Sequence, residues 1–351
     1  MKKLIPTLAE ETFSLSNRKY LGSKKNLLLP LVERMLALCG LPKGFLDGFC
    51  GTGVVSAAMR QRGVGPIIAV DNLYCNGVIL RGFFSPGVRE PRALELLSHL
   101  NALPPREGYL TANFSGSYFT TDNCRRMDAA REQIEELKRR GEVSAEEYDY
   151  LLASFLLAAD RVANTVGQYD AYLKHIGRQS VERGRHLLDS RVYSPFLLRR
   201  LQRLGILEGE IVTGDLLALL PHIRVEAAYF DPPYNTRQYC SNYHLLENIA
   251  RWEKPQLHGK TRKFPMSGLK SPFSQKRTVR EAFCRLVAGT AAAHLFISYN
   301  SEGLVSRQQL LDLLAAYGRV SCFEFPYIVF GAGAGVSRRR ALTEYLFYLK
   351  K

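Results

Sequence analysis

The feature that most constrains the fold is a strand, helix and strand pattern near the start of the chain. Residues 44–53 read GFLDGFCGTG, which is typical of a short strand running into a glycine turn, and the VVSAAMRQRG that follows has a helical pattern. Residues 66–71, PIIAVD, predict a second buried strand that ends in an acid. Preceded by a helical pattern over residues 24–38, this arrangement predicts an α/β fold with a doubly wound, mostly parallel sheet.

The middle of the chain has a different character. Between residues 85 and 205 the sequence shows helical patterns, many arginines and no convincing strand pattern. Ser144 followed three residues later by Glu147 is typical of a capping box at the start of a helix. We therefore expect a mainly helical insertion over residues 85–205.

The sheet pattern returns after the insertion. Strand-like segments occur at 210–215, 225–231 and 294–299. Two aromatic segments, 320–330 and 342–349, are joined by a glycine-rich stretch and predict a C-terminal antiparallel hairpin. Residues 1–84 and 206–351 are therefore expected to form one domain, interrupted by the insertion.

The strongly positive charge favours a polyanionic partner. The 351 residues carry 48 Lys or Arg against 33 Asp or Glu, a net charge of +15, and such cations bind phosphates by releasing counterions. A merely soluble basic protein is the alternative. The seven cysteines have no C-x-x-C spacing, so we expect reduced thiols and no metal site. With no signal peptide and no apolar segment of bilayer length, we expect a cytoplasmic protein without membrane contact.

The glycine turn after the first strand predicts a nucleoside site. In an open α/β sheet ligands bind at the carboxyl ends of the strands, and an acid at the end of the next strand commonly holds ribose hydroxyls. The third glycine of the dinucleotide fingerprint is replaced by Ser56, and no GK[ST] motif follows, which disfavours NAD and ATP. An ordinary strand–helix turn is the alternative. The candidate residues are Asp47, Phe49, Gly51, Gly53 and Asp71.

A second motif, YFDPPYNTRQY at 229–239, predicts a site for a planar amine. Asp231 and Pro232 both precede prolines and are pushed toward extended geometry, and Pro232 and Pro233 have no N–H to donate. The Asp231 carboxylate and the Pro232 carbonyl would accept two hydrogen bonds from an –NH₂ group, and Tyr234 offers a face on which its ring could stack. Two such acceptors would stabilise positive charge that develops on the nitrogen in a transition state. A structural Asp-Pro-Pro turn with a core tyrosine is the alternative.

These motifs resemble those of the S-adenosylmethionine-dependent amino methyltransferases. DPPY after a strand, with DGFCGTG upstream and RKYLGSK at 18–24, is similar in particular to the Dam-like and type II restriction-modification methylases that act on adenine N6 in DNA. The resemblance covers about residues 1–84 and 206–351, and the insertion matches nothing familiar. It implies a Rossmann-like methyltransferase fold, S-adenosylmethionine as cofactor, and no metal.

The resemblance also implies roles for individual residues. Lys24 would lie near the methionine moiety of the cofactor, as would Tyr20. The glycine-turn residues would form the floor of its pocket, and Asp71 would bind the ribose. Asp215 resembles the acid that holds the cofactor's adenine, although a helix cap is an equally open interpretation. Asp231, Pro232, Pro233 and Tyr234 would form the catalytic site.

Double-stranded DNA is the expected partner, and its target base has to be flipped out of the helix. Residues just after the motif could close over the flipped nucleotide, although a surface helix start is the alternative; they are Asn235, Arg237, Tyr239, Asn242, Tyr243 and His244. Residues 254–277 hold seven Lys or Arg and no acid, which favours a flexible loop on the phosphate backbone. Its candidate contacts are Lys260, Arg262 and Lys263, and the SRRR at 337–340 is a second candidate segment.

Several alternatives remain open at this stage. RNA could replace DNA as substrate. Cytosine-N4 and protein-glutamine enzymes are disfavoured because they more often carry Ser or Asn in place of Asp231. A non-catalytic nucleic-acid-binding protein on the same scaffold is a further hypothesis. We expect a monomer, with residues 85–205 as target-recognition domain, while the recognition sequence and any companion restriction endonuclease stay undetermined.

Overall fold

The structure is a computed structural model that describes residues 12–15, 24–165, 167–173, 190–331 and 338–351. The chain divides into two compact units. The sheet unit comprises residues 24–72, 207–239 and 267–351. The helical unit comprises the described parts of residues 1–23, 73–206 and 240–266. Residues 73–84 and 240–266 thus group with the helices, whereas the sequence placed them with the sheet.

The strands within the described ranges are β1 (Thr12–Phe13), β2 (Phe45–Asp47), β3 (Ile67–Asp71), β4 (Arg200–Leu201), β5 (Gly209–Thr213), β6 (Ala227–Phe230), β7 (His294–Asn300), β8 (Arg319–Gly331) and β9 (Arg338–Lys350). The helices there are α1 (Leu28–Cys39), α2 (Val54–Gln61), α3 (Tyr74–Phe83), α4 (Glu90–Asn101), α5 (Tyr109–Phe114), α6 (Thr121–Arg139), α7 (Ala145–Val162), α8 (Leu216–Leu219), α9 (Tyr239–Asn242), α10 (His244–Arg251), α11 (Val279–Gly289) and α12 (Arg307–Ala315). Short 3₁₀ turns lie between them, including Lys24–Leu27 immediately before α1.

The sheet unit is built on a seven-stranded sheet in the order β5-β3-β2-β6-β7-β9-β8. The first five of these are mutually parallel, and β9 runs antiparallel to both β7 and β8. This is the doubly wound order 3-2-1-4-5-6 with one antiparallel strand inserted before the last. The predicted α/β fold, the mostly parallel sheet and the C-terminal hairpin are confirmed.

The central strands β2 and β6 are buried along their whole length. Every residue of β2 and of β6 is buried, as is usual for parallel strands. Apolar side chains of α8, α11 and α12 pack with those of the sheet in one core cluster, which includes Leu46, Phe230, Phe283 and Leu310. The order of strands reverses between β2 and β6, so the carboxyl ends of these two strands flank the topological switch point.

Buried polar contacts explain why residues 240–266 belong to the helical unit. Arg131 of α6 is fully buried and donates to the carbonyls of Ile249 and Ala250 at the end of α10. Glu247 of α10, also fully buried, accepts from the backbone N–H groups of Tyr74 and Cys75 at the start of α3. Removing either side chain would leave buried polar groups without hydrogen-bond partners, which would destabilise the fold. Sequence patterns do not reveal such long-range pairs.

The helical unit otherwise follows the expectation for the insertion. Helix α7 begins at the capping box predicted from Ser144 and Glu147, with both reciprocal hydrogen bonds formed. Two strands were missed, β1 and β4, because they pair over only two residues, and such short strands leave no periodic signal. No helix in the described part of the chain is long and apolar enough to cross a membrane.

Candidate active site

The two sequence motifs meet at the switch point of the sheet. β2 leads into the glycine turn and β6 leads into Asp231, and the N–H of Gly48 donates to the carbonyl of Tyr229 at 2.9 Å. A Cβ added at Gly48 would lie 2.5 Å from the ring of Phe230. Only glycine therefore permits this close approach of the two strand ends.

The glycine turn has the backbone conformation that the sequence predicts. Gly51 and Gly53 have φ of 51° and 75°, in the left-handed region that disfavours residues with a Cβ. Gly53 is also the residue from which α2 begins. The turn therefore presents bare backbone at the carboxyl edge of the sheet, where a ligand can approach closely.

Asp47 stabilises this turn by hydrogen bonding to Ser56 in the first turn of α2. Its side chain is buried, and its Oδ2 accepts from the backbone N–H of Ser56 at 3.1 Å and from the Ser56 hydroxyl at 2.6 Å. Burial raises the pKa of Asp47 to about 7, against the hydrogen bonds from Ser56. The serine that replaces the third fingerprint glycine is thus a partner of Asp47.

Asp71 lies at the end of β3 and is bonded to the same turn. Its Oδ2 accepts from the backbone N–H of Gly51 at 2.9 Å. The side chain is only partly buried. An acid held beside the glycine turn in this way is suited to ribose hydroxyls, so the pocket elements that the sequence predicted lie together.

The DPPY segment follows β6 as a rigid, non-repetitive stretch. Pro232 and Pro233 are buried, and Tyr234 is half-buried. The N–H of Leu304 donates to the carbonyl of Tyr234 at 2.9 Å, which anchors the end of the motif to the segment after β7. The Asp231 side chain keeps 21% of its surface exposed. The side chain is therefore not sealed inside the core.

Lys24 joins Asp231 in a buried ionic cluster. Its ammonium donates to Oδ1 of Asp231 at 2.7 Å and lies 3.3 Å from Oε1 of Glu344 on β9. Burial by itself would lower the pKa of Lys24, but the two carboxylates outweigh it and raise that pKa well above its ordinary value. Burial likewise raises the pKa of Asp231 and that of Glu344, in both cases against the attraction of Lys24. At neutral pH the lysine is therefore charged and shared between two acids.

Three further residues, Asp215, Phe49 and Tyr20, were predicted to contact the cofactor. The exposed Asp215 caps α8 by accepting from the N–H of Leu217, as the alternative interpretation has it. The ring of Phe49 packs edge-on against Phe273 and Phe230, at centroid distances of 5.3 and 6.5 Å. Tyr20 lies outside the described residues.

The residues just after DPPY divide into two groups. Arg237 is exposed, Asn235 and Tyr239 are half-buried, and Asn235 accepts from the N–H of Arg237 in a tight turn. Asn242, Tyr243 and His244 are fully buried in the helical unit. Those three side chains therefore cannot touch a nucleotide in this conformation, because they belong to a core that the sequence did not reveal.

The basic segment 254–277 is held by hydrogen bonds at two places, one in each unit. In the helical unit, His258 and Lys263 pair their backbones across a tight turn, and the carbonyl of Thr261 contacts Nε2 of His244 at 2.7 Å. Lys260 and Arg262 are exposed at the tip of this turn. Lys263 instead forms an ion pair with Asp170 at 2.6 Å.

The second of these places lies in the sheet unit. The side-chain amide of Gln238 forms two hydrogen bonds with the backbone of Ser271, and the amide of Asn72 donates to the carbonyl of Leu269. The segment expected to be one flexible loop therefore has fixed contacts in both units. The side chains of residues 338–340 are not described, and Ser337 lies outside the described residues.

Sequence reasoning missed Glu344 and Asn300. These residues are Cα partners across β7 and β9. The available signal was a lone acid within the apolar strand LTEYLFYL, since a charge in a buried strand normally has a partner. Among the described residues no cluster of three or more His, Cys, Asp or Glu could hold a metal ion.

The fold and site define a class of protein. A Rossmann-type sheet with an added antiparallel strand, a glycine turn with an acid on the neighbouring strand, and an Asp-Pro-Pro-Tyr segment at the switch point are the features of a methyltransferase that acts on amino groups.

The comparisons with known proteins agree and specify the family. Residues 20–309 match the family model for the D12 class N6 adenine-specific DNA methyltransferases, and the chain belongs to that family. It is 33% identical to the type II methyltransferase M.NlaIII of Neisseria lactamica, over 95% of this chain and 99% of that protein. It is 30% identical to the modification methylase StsI of Streptococcus sanguinis, over 95% of this chain but only 52% of that protein. The chain therefore spans about half of the StsI methylase and nearly all of M.NlaIII.

Proposed function

We propose that this protein transfers a methyl group from S-adenosylmethionine to the N6 amino group of adenine in a specific sequence of double-stranded DNA. Membership of the D12 family supports the reaction class. The observation that carries the proposal is the position of Asp231, with its side chain partly exposed, at the switch point next to the glycine turn. The names of the relatives further suggest the modification half of a restriction system, whose endonuclease would be the partner.

The residues present fit S-adenosylmethionine. A turn with two left-handed glycines offers bare backbone, and Asp71 beside it suits the hydroxyls of an unphosphorylated ribose. The cofactor supplies an electrophilic methyl group on a sulfonium sulfur. Asp47 would act indirectly, because it holds the turn through Ser56.

The chemistry of the target base falls to the DPPY segment. Asp231 and the carbonyl of Pro232 would accept the two hydrogens of the adenine amino group, which orients the nitrogen lone pair toward the methyl carbon. As the N–C bond forms and the C–S bond breaks, positive charge appears on N6, and the Asp231 carboxylate stabilises it. Burial raises the pKa of Asp231, so this carboxylate is a suitable acceptor for the proton that N6 must then release.

DNA binding would use the exposed cations of both units. Arg237 in the sheet unit and Lys260 and Arg262 in the helical unit are exposed and suited to phosphate contacts. Lys263 would contribute less to DNA binding, because its charge is already paired with that of Asp170. We propose that the helical unit, which includes most of residues 85–205, reads the recognition sequence. A monomer located in the cytoplasm, where the host DNA lies, fits this function.

The test compares nucleic acids as methyl acceptors. Purified protein is incubated with isotopically labelled S-adenosylmethionine and with unmethylated duplex DNA or matched RNA, and the products are digested to nucleosides. We expect label in N6-methyladenine from DNA, and loss of more than about 1,000-fold in the isosteric variant Asp231→Asn, with cofactor binding retained in calorimetry. Label in RNA alone, or full activity of Asp231→Asn, would refute the proposal.

A further inference from the structure

Glu344 is a buried charge to which the proposed reaction gives no task. Its side chain is only 4% exposed, and its Oε1 lies 3.3 Å from Nζ of Lys24. Lys24 and Asn300 are its polar neighbours, but no group in the described parts of the chain meets that oxygen with good hydrogen-bond geometry. A buried carboxylate is expensive, and the neutral amide of Asn300 opposite it cannot balance its charge. Packing alone therefore does not account for an acid here.

The cluster contains more negative than positive charge. Asp231 and Glu344 share the one ammonium of Lys24, which is nearer to Asp231. With Asp231 alone, Lys24 would form a full ion pair, and that pair would offer less negative charge to a neighbouring group. When Asp231 and Glu344 are both ionised, the three groups together carry one excess negative charge.

We propose that Glu344 is a positioning residue that shares the Lys24 ammonium from β9 and so leaves the Asp231 carboxylate only partly neutralised and available to the amino group of the target base. The inference rests on the proposed function of Asp231. The excess charge lies where the methylated nitrogen becomes positive, so its effect is larger in the transition state than in the ground state.

Other groups face the same cluster and have to be considered in any titration. Asp47 and Tyr229 approach Asp231 from the sheet, and Tyr234 lies beside Lys24, Asp231 and Glu344. Tyr327 on β8 and Glu302 after β7 interact electrostatically with Tyr234. Burial raises the pKa of each of these tyrosines, so they stay neutral near pH 7. Among the acids of this set, burial raises the pKa of Asp231, Glu344 and Asp47, so their titration can shape the acid side of the activity profile.

The isosteric variant Glu344→Gln tests the role. Glu324→Gln, an exposed substitution on β8 of the same sheet, is the matched control. We expect Glu344→Gln to lower kcat about 10- to 100-fold with little change in KM for DNA, and Glu344→Asp to restore part of the loss. Without the charge of Glu344, Asp231 releases its proton more easily, so the acid limb of the kcat profile should move to lower pH.

A second readout does not depend on turnover. The carboxyl carbons of aspartate are labelled with ¹³C, the Asp231 signal is assigned by its absence in Asp231→Asn, and its titration is followed in the full chain. The midpoint should fall in Glu344→Gln and stay unchanged in Glu324→Gln. Thermal unfolding of each variant shows whether the fold is retained.

The experiments distinguish failure of this inference from failure of the proposed methyltransferase function. If wild-type protein methylates DNA and Glu344→Gln keeps its kcat, its pH profile and its Asp231 midpoint, the inference is wrong and the proposed function stands. A fall in kcat without movement of the profile or midpoint indicates a merely structural residue and also overturns it. A wild-type protein that fails to methylate DNA under any condition overturns the proposed function and this inference together.

Discussion

The buried carboxyl of Asp47 should make the stability of the fold depend on pH. Its pKa rises from 3.8 to about 7 because burial penalises the charged form. An acid with a raised pKa in the folded state stabilises the fold fully below its unfolded value, and this contribution is lost as pH rises toward the folded value. Each tenfold change in proton affinity corresponds to about 1.4 kcal/mol, so ionising Asp47 should remove about 4 kcal/mol between pH 4 and pH 7.

The perturbation is Asp47→Asn, which removes the charge and keeps an oxygen that can still accept from Ser56. We expect wild-type protein to lose stability relative to the variant as pH rises from 4 to 7, by up to about 4 kcal/mol. Below pH 4 the difference between the two should be constant. Urea unfolding followed by circular dichroism at each pH measures the difference in free energy of unfolding.

The exposed Asp312→Asn in α12 of the same sheet unit is the control, and its curve should run parallel to that of the wild type. If Asp47→Asn also runs parallel to the wild type across this range, the carboxyl is not held protonated by burial. In that case the account of Asp47 as a neutral support for the glycine turn is wrong.

Two further variants test other parts of the site. Gly53→Ala forces a Cβ into a left-handed φ of 75°, which should cost about 1–2 kcal/mol. It should also weaken cofactor binding about tenfold in calorimetry, and unchanged affinity would mean that the turn does not form the pocket. Replacing both Lys260 and Arg262 by Gln should reduce the slope of log affinity for DNA against log salt by about 2. An unchanged slope would remove this exposed tip from the interface, and Lys43→Gln, an exposed lysine elsewhere, serves as the control.

The parts of the site that sequence predicted are those set by local chemistry. Gly51 and Gly53 lie in a turn that only glycine adopts readily, and the prolines of DPPY restrict their own neighbours. The hairpin of β8 and β9 was likewise visible, because alternating aromatic residues and a glycine-rich connection are features of adjacent segments. In each case the residues that determine the structure are close together in the chain.

The errors came from contacts between distant residues. Asn242, Tyr243 and His244 follow directly after DPPY but are buried in the helical unit. The basic segment is not one loop, because its halves are anchored in different units by His244 and by Gln238. Periodicity reports whether a segment has a buried face, and it does not report which distant residues cover that face.

The class of fold and the motifs of the candidate site could be predicted from residue order, since backbone conformation and short motifs are local properties. The arrangement of the charges could not, because it depends on the folded chain. The folded chain brings together Lys24, Asp231 and Glu344, which lie 207 and 113 positions apart along the chain, in one buried cluster. Electrostatic interaction depends on distance in space and on exclusion of water. Neither quantity can be read from residue order, and both follow from the folding of the sheet.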